Sequence, residues 1–169
     1  MQPDTQPGTG SPARPAGLLD PRGPRFAAWV TTVVLVAILV LGFAAPLAAA
    51  VVALVQTVVF AVGASAGPGA APYGLAYRAL VAPRLGRPGE LEPVAPVRFA
   101  QAVGLVFTAV ATIGFFAGVP VLGIVATALA LVAAFLNAAF GLCLGCEVYL
   151  AYRRLTHRPL AARVRPAPR

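Results

Sequence analysis

The chain has 169 residues, of which 59% are hydrophobic and only 11% charged, against about 25% charged residues in typical soluble domains. This composition excludes an ordinary soluble domain and indicates a protein that buries much of its surface in lipid. The net charge of +8 comes from Arg alone, and these Arg residues flank long apolar runs, so they do not form the basic patch of a nucleic-acid-binding protein. A composition rich in Arg, Ala, Gly and Pro is typical of GC-rich genes and favours a bacterial source.

In chain order, residues 1–18 are rich in Pro, Gly and Ala and have little to bury, so we predict a disordered N-terminal segment. Residues 19–156 form the predicted membrane domain. Residues 157–169 form a basic tail, which we expect to lie near anionic lipid.

Two long intervals of the membrane domain contain no charged residue. They hold 52 residues between Arg25 and Arg78, and 48 between Arg98 and Glu147. Because one span takes roughly 20 residues and a backbone in lipid must bond to itself, each interval predicts two helical spans and a turn. The fold class is therefore an all-α integral membrane protein with four transmembrane helices, at about residues 26–43, 47–66, 99–117 and 121–145.

An alternative interpretation takes the first apolar segment as a cleaved signal peptide, since Ala48–Ala50 offers the small residues of a cleavage site. The segment before it is long, and a second apolar run follows directly. Both features favour a retained span.

All Arg residues fall before the first span, between the second and third, or after the fourth, and the two short turns carry no charge. Basic loops are typically cytoplasmic. We therefore expect a multi-pass protein of the bacterial plasma membrane, with both termini in the cytoplasm.

The sequence also repeats itself at a spacing of about 72 to 75 residues. Asp20–Ala27 (DPRGPRFA) recurs as Glu92–Ala100 (EPVAPVRFA), and Leu75–Leu80 (LAYRAL) recurs as Leu150–Leu155 (LAYRRL). Each unit holds an even number of spans, so the two units have the same orientation. This predicts two parallel-repeat helical hairpins, at about residues 19–87 and 90–156, related by a pseudo-twofold along the membrane normal.

Aromatic residues after the second span fall at helical spacing. Tyr73 and Tyr77 are predicted to belong to a short helix at the membrane interface, with Arg78 directed toward the lipid headgroups. We expect these residues to act as anchors.

Within the spans, the amides of Gln56 and Asn137 should face partner helices. The pairs Gly63/Gly67 and Gly141/Gly145 permit close helix packing, which would serve either contacts between the hairpins or a homodimer.

The repeat breaks at Cys143-Leu144-Gly145-Cys146, which aligns with the plain segment Pro68–Ala71 of the first unit. On a continuous helix both thiols would share one face with Glu147. The three groups could support a dithiol/disulfide cycle, a persulfide or part of a metal site. The alternative is a pair of structural thiols, because free Cys is common as a small buried residue.

Two considerations limit these chemistries. The fourth predicted span would put the thiols near a helix C-terminus beside an anion, a setting that disfavours the thiolate. Zinc needs about four ligands, and the lone His157 lies eleven residues beyond Cys146, so no metal site is predicted.

Several segments together resemble a bacterial membrane protein family of unknown function, domain-of-unknown-function family 4395. They are Asp20–Ala27, Pro72–Leu75 (PYGL), Arg98–Gln101 (RFAQ) and the most specific block, Phe135–Tyr149 (FLNAAFGLCLGCEVY). The resemblance covers about residues 19–155 and implies an actinobacterial-type multi-span protein without an established activity. It also implies an association with thioredoxin-like and rhodanese-like proteins, and so favours thiol or sulfur handling.

The leading hypothesis is a membrane dithiol on the cytoplasmic face that exchanges electrons or sulfur with a soluble thiol or sulfur-carrier protein. Cys143 and Cys146 are the candidate reactive pair and Glu147 the residue that tunes or orients them, with no cofactor predicted. The alternative is a non-catalytic scaffold or small-solute permease with structural cysteines. No charged residue lies within a span, which weakens ion transport.

Overall fold

The computed structural model describes residues 17–157 of the chain. Four of its helices are long and apolar enough to cross a membrane, which confirms the prediction of an all-α protein with four candidate spans. Each has 20 to 23 residues, or about 30 to 35 Å at 1.5 Å per residue, close to the thickness of a bilayer core. They are α1 (Arg22–Ala44), α2 (Pro46–Ser65), α4 (Val94–Phe116) and α5 (Pro120–Phe140).

Shorter elements lie at one end of these helices. After α2 comes α3 (Pro72–Ala76), which continues as a π-helical turn (Tyr77–Val81) and a 3₁₀ turn (Ala82–Arg84). After α5 comes α6 (Leu144–Leu155). Two very short strands, β1 (Leu18–Leu19) and β2 (Glu92–Pro93), pair antiparallel just before α1 and α4. The strand pair thus links the start of α1 to the start of α4 by backbone hydrogen bonds.

The four long helices form a bundle in which α2 packs most extensively against α4, and α1 against α5. Further contacts between α1 and α2 and between α4 and α5 close the ring. Prolines stand at the first position of α2 and of α5, where the missing N–H costs no helical hydrogen bond. The two hairpin turns can therefore be short.

The core of the bundle consists largely of small residues. Ala49, Ala50 and Ala53 of α2 are fully buried together with Leu35 and Ile38 of α1. Small side chains let helices approach closely, which is the usual basis of packing where lipid removes the hydrophobic driving force. Large apolar side chains on the outer faces remain exposed, as expected of a surface in contact with acyl chains.

Hydroxyl groups in the core bond to their own helices. Four buried threonines donate to the carbonyl four residues earlier, as Thr127 does to Gly123 at 2.7 Å; they are Thr32, Thr108, Thr112 and Thr127. Thr57 of α2 and Thr112 of α4 also lie 3.2 Å apart and join the two helices. The buried polar atoms of these side chains are therefore satisfied.

The predicted fourth span over residues 121–145 is wrong at its C-terminal end. Helix α5 ends at Phe140, and Gly141 adopts a left-handed conformation with φ 70°. Glycine is the residue that adopts this conformation at least steric cost, and it commonly ends helices. Residues 141–143 therefore form a turn, and the cysteine motif lies on the next helix.

The interfacial anchoring predicted for two tyrosines is also wrong. Tyr77 is only 4% exposed and donates a hydrogen bond to Asp20, whereas Tyr73 reaches Gln56 inside the bundle. The buried amide of Gln56 agrees with the prediction that it faces a partner helix.

At the chain ends, most of the predicted disordered segment 1–18 and of the basic tail 157–169 lies outside the described residues. Of the first segment, Leu18 is described, and it pairs with Pro93 in the strand ladder.

Candidate functional site

The cysteine pair lies at the N-terminus of α6. Cys143 is the N-cap residue, with extended backbone, and its carbonyl accepts a hydrogen bond from the amide N–H of Glu147 at 3.0 Å. The sulfurs of Cys143 and Cys146 lie within disulfide-bonding distance, and their Cα atoms are 5.2 Å apart. The structure thus brings together the two cysteines that the sequence singled out.

This position reverses the electrostatic argument made from sequence. The thiols do not stand at the C-terminal end of a long helix; they stand at the positive end of the α6 dipole, which favours a thiolate. The exposed Glu147 lies in the first turn of α6, where a carboxylate is stabilised by the same dipole. The helix dipole thus favours a thiolate at this position, and the neighbouring carboxylate of Glu147 opposes that effect.

Close packing against α4 fixes the start of α6. A Cβ atom on Gly145 would lie 2.6 Å from Cα of Ala100, a distance that backbone atoms cannot accommodate without movement. One turn further on, the ring of Tyr149 lies 5.7 Å from that of Phe99, and Arg153 donates to the Tyr149 hydroxyl at 2.8 Å. The glycine between the two cysteines is therefore a packing residue that sets where the pair sits.

The pair lines a cavity of about 660 Å³ that extends from α6 into the bundle. Its walls come from all six α-helices, and most of its lining is apolar, including Phe107 and Leu129 within the spans. Uncharged polar side chains on the walls include Tyr73, Gln101 and Asn137. Sequence reasoning did not find this cavity, because it depends on how α3 and α6 fold back over the bundle end.

A buried hydrogen bond holds α3 against the bundle. The Tyr73 hydroxyl donates to the Gln56 side-chain oxygen at 2.7 Å, and the Gln56 side chain is 1% exposed. Its amide nitrogen has no partner among the described residues. Gln56 of α2 thus holds Tyr73, 17 residues later in the chain, in the wall of the cavity.

Charged groups hold the same end of the bundle. The Asp20 carboxylate is 4% exposed and accepts hydrogen bonds from the backbone and guanidinium of Arg22 and from the Tyr77 hydroxyl. Burial by itself raises the pKa of Asp20, but the bonds from Arg22 and Tyr77 outweigh it, so that the pKa lies below its ordinary value of 3.8. The carboxylate is thus charged at neutral pH.

Arg98 closes the C-terminus of α2. Its guanidinium donates to the carbonyl oxygens of Ala64 at 3.0 Å and of Ser65 at 2.5 Å, which a helix end otherwise leaves unpaired. This contact ties the start of α4 to the end of α2 beside the cavity.

The four glycines considered for a dimer face have intramolecular roles. A Cβ on Gly63 would meet the Gln101 side chain, as one on Gly145 would meet Ala100, and Gly67 and Gly141 have positive φ in turns. Gly63 and Gly145 therefore serve the first of the two predicted uses, contacts within the chain, and the homodimer stays a prediction.

Between residues 17 and 157 there is no group of three or more potential metal-ligating side chains. The helix α6 separates His157 from the cysteines. The described residues thus offer no protein-only metal site.

A protein-family model described as a domain of unknown function, DUF4395, matches residues 19–154. The chain belongs to this family. The family resemblance that the sequence motifs indicated is therefore confirmed. Comparisons with curated proteins and with solved structures give no match.

Proposed function

We propose that the chain is a membrane-bound dithiol–disulfide exchange protein whose reactive pair is Cys143 and Cys146. The observation that carries the proposal is the position of the pair at the N-terminus of α6, with the sulfurs within bonding distance. A helix N-terminus favours the thiolate, which is the nucleophile in thiol–disulfide exchange.

Cys143 is the proposed attacking residue. Both cysteines are half-buried, but Cys143 is the N-cap of α6 and lies directly at the positive end of the helix dipole, whereas Cys146 lies in the first turn. In the exchange, a Cys143 thiolate attacks a disulfide of a soluble protein and forms a mixed disulfide. Cys146 then resolves it, which leaves the soluble protein with two thiols and this chain with the disulfide. The reverse sequence moves electrons the other way.

Glu147 is proposed to orient the pair. Its backbone N–H donates to the Cys143 carbonyl in the first turn of α6. The carboxylate is exposed at the same helix end, so a basic residue of a partner protein could bind there without desolvating a buried charge.

The site is proposed to face the cytoplasm of a bacterial cell. All Arg residues within the described range stand at the bundle end that carries α3 and α6 or in the adjoining loops, and basic loops are typically cytoplasmic. In this orientation the partner is a soluble cytoplasmic thiol protein.

The bundle is proposed to be two parallel hairpin repeats. Exchange of the two units converts the α2–α4 contact into the α5–α1 contact, and these are the two most extensive contacts in the bundle. Only the second unit then carries the proposed reactive pair, Cys143 and Cys146.

Trapping of the mixed disulfide tests the proposed function. We expect purified Cys146→Ser protein in nanodiscs to form a mixed disulfide with an oxidised thioredoxin-fold protein, because the resolving thiol is gone. Cys143→Ser protein should trap it far less, and the Cys143→Ser/Cys146→Ser protein not at all.

Alkylation in sealed cells and inverted vesicles, across a redox titration, tests the face and the cycle. We expect a membrane-impermeant maleimide to label the reduced wild-type pair only in inverted vesicles. A pair that never leaves the thiol state across the titration, or that forms no mixed disulfide, would overturn the proposal in favour of structural cysteines.

A further inference from the structure

The cavity beside the cysteine pair is lined by two amide side chains. Among the residues that the structure describes, no hydrogen-bond partner is found for the side chains of Gln101 on α4 and Asn137 on α5, and both line the cavity. An amide offers two N–H donors and a carbonyl acceptor. In a largely apolar pocket, a few convergent polar groups of this kind are typical of a ligand site.

Both amides lie close to the disulfide in the fold. Gln101 follows Ala100, the residue against which Gly145 packs. Asn137 lies in the last turn of α5, where its carbonyl accepts the amide N–H of Gly141, the residue that begins the turn to Cys143. A molecule that bonds to these amides therefore occupies the same cavity as the sulfurs.

The inner walls of the cavity indicate a neutral, mostly apolar ligand. The part formed by the spans carries residues such as Phe107, Leu129 and Val132. The charged lining residues lie at or beyond the starts of α1 and α4, in the π-helical turn after α3, or on α6. A volume of about 660 Å³ is within the range of small-molecule sites. A lipid-soluble ring with two acceptor oxygens fits this combination of walls and donors.

The cysteine count points to the chemistry of that ligand. The chain has only two Cys, so electrons that the pair receives cannot pass to a second pair within the same chain. An acceptor of two electrons must come from outside the chain, and the cavity that the pair lines is large enough to hold a small molecule.

We infer that the cavity binds an isoprenoid quinone, which oxidises the reduced pair. This inference rests on the proposed function and names the electron acceptor of the same site. The two S–H bonds of Cys143 and Cys146 break and one S–S bond forms. The two electrons and two protons released convert the two quinone carbonyls to the two hydroxyls of a quinol, so the step balances without a further reactant.

The amides position the quinone in this site. Side-chain N–H groups of Gln101 and Asn137 donate to the quinone oxygens and hold the ring beside the pair. As the oxygens gain electron density, these hydrogen bonds strengthen.

Anaerobic mixing tests the inference. Reduced protein in nanodiscs is mixed with a short-chain ubiquinone analogue, and quinol absorbance and free thiols are followed together. The expected result is one quinol formed per disulfide formed. Asn137→Leu and Gln101→Leu should each raise KM for the quinone by about tenfold, as loss of one useful hydrogen bond of about 1.4 kcal/mol implies. Ala37→Leu, on the exposed face of α1, is the matched control and should change neither kcat nor KM.

Photolabelling separates this inference from the proposed function. An azidoquinone is applied to the Cys143→Ser/Cys146→Ser protein, which cannot exchange disulfides, and labelled peptides are mapped. Label on α4 and α5 that an unlabelled quinone displaces supports the site whether or not exchange occurs. Exchange with a soluble disulfide protein, without quinol formation and without displaceable label, would overturn the quinone site and leave the proposed function standing. If an amide variant is too unstable to measure, Ala133→Leu takes its place. The larger side chain fills the cavity from α5 and should likewise raise KM for the quinone.

Discussion

Tyr77 donates a 3.0 Å hydrogen bond to the carboxylate of Asp20, 57 residues earlier in the chain. Both residues are 4% exposed. Tyr77 also stacks at a tilt on Phe26, with ring centroids 5.9 Å apart. This contact holds the helical segment after α2 against the start of α1. It belongs to the first of the two sequence units, whereas the cysteines belong to the second.

Tyr77→Phe should lower the free energy of unfolding by about 1–2 kcal/mol, because it removes a buried hydrogen bond to a charged group and keeps the ring. The measurement is thermal unfolding in detergent micelles, where a fall of a few degrees in Tm is expected. Tyr152→Phe is the matched control, since Tyr152 is 56% exposed. An equal fall for both variants would contradict a specific role for the bond.

The same carboxylate predicts a dependence of stability on pH. Because the pKa of Asp20 in the folded protein lies below its ordinary value of 3.8, its contribution is fully present above that value. The contribution is lost as pH falls toward and through the folded-state pKa. Asp20→Asn should therefore cost a constant amount of stability from neutral pH down to about pH 5, and the difference from wild type should shrink below about pH 4. If the stability difference between wild type and Asp20→Asn grew as the pH fell, it would contradict this prediction.

Gly145→Ala should displace α6, because the new Cβ would lie 2.6 Å from Cα of Ala100. We expect lower thermal stability and, in reduced protein, a change in the alkylation rates of the adjacent thiols. Gly69→Ala is a control from the aligned loop of the first unit, where no atom lies within 4 Å of the added group. If the two variants behave alike, the contact with α4 does not position the pair.

The Tyr73–Gln56 bond can be measured with a double-mutant cycle. Gln56→Leu and Tyr73→Phe should each destabilise the protein. The double variant should lose less than the sum, with a coupling of about 0.5–1.5 kcal/mol, as for other hydrogen bonds between membrane helices. Unfolding in mixed micelles provides the values, and purely additive effects would show that the bond contributes nothing.

Interior sites of this protein were only partly visible from sequence. The lone glutamine of α2 could be assigned to a packing face, because an amide in lipid needs a partner. Its partner, Tyr73, was instead assigned to the membrane interface. Aromatic residues beside a span usually anchor there, and nothing local indicates that the chain after α2 turns back into the bundle.

The sequence by itself determined the four helices, their turns and the family. Long uncharged intervals permit no structure in lipid other than helices whose backbones bond internally, and that constraint acts locally. Tertiary structure alone decided the setting of Cys143 and Cys146. Gly141 ends α5 in a left-handed turn, and Gly145 lets the new helix pack on Ala100. A one-dimensional hydropathy pattern cannot distinguish this break from a continuous span, because the run without charged residues continues through the turn as far as Cys146. The difference moves the thiols from the negative end of one helix to the positive end of another, and so changes the chemistry that they favour.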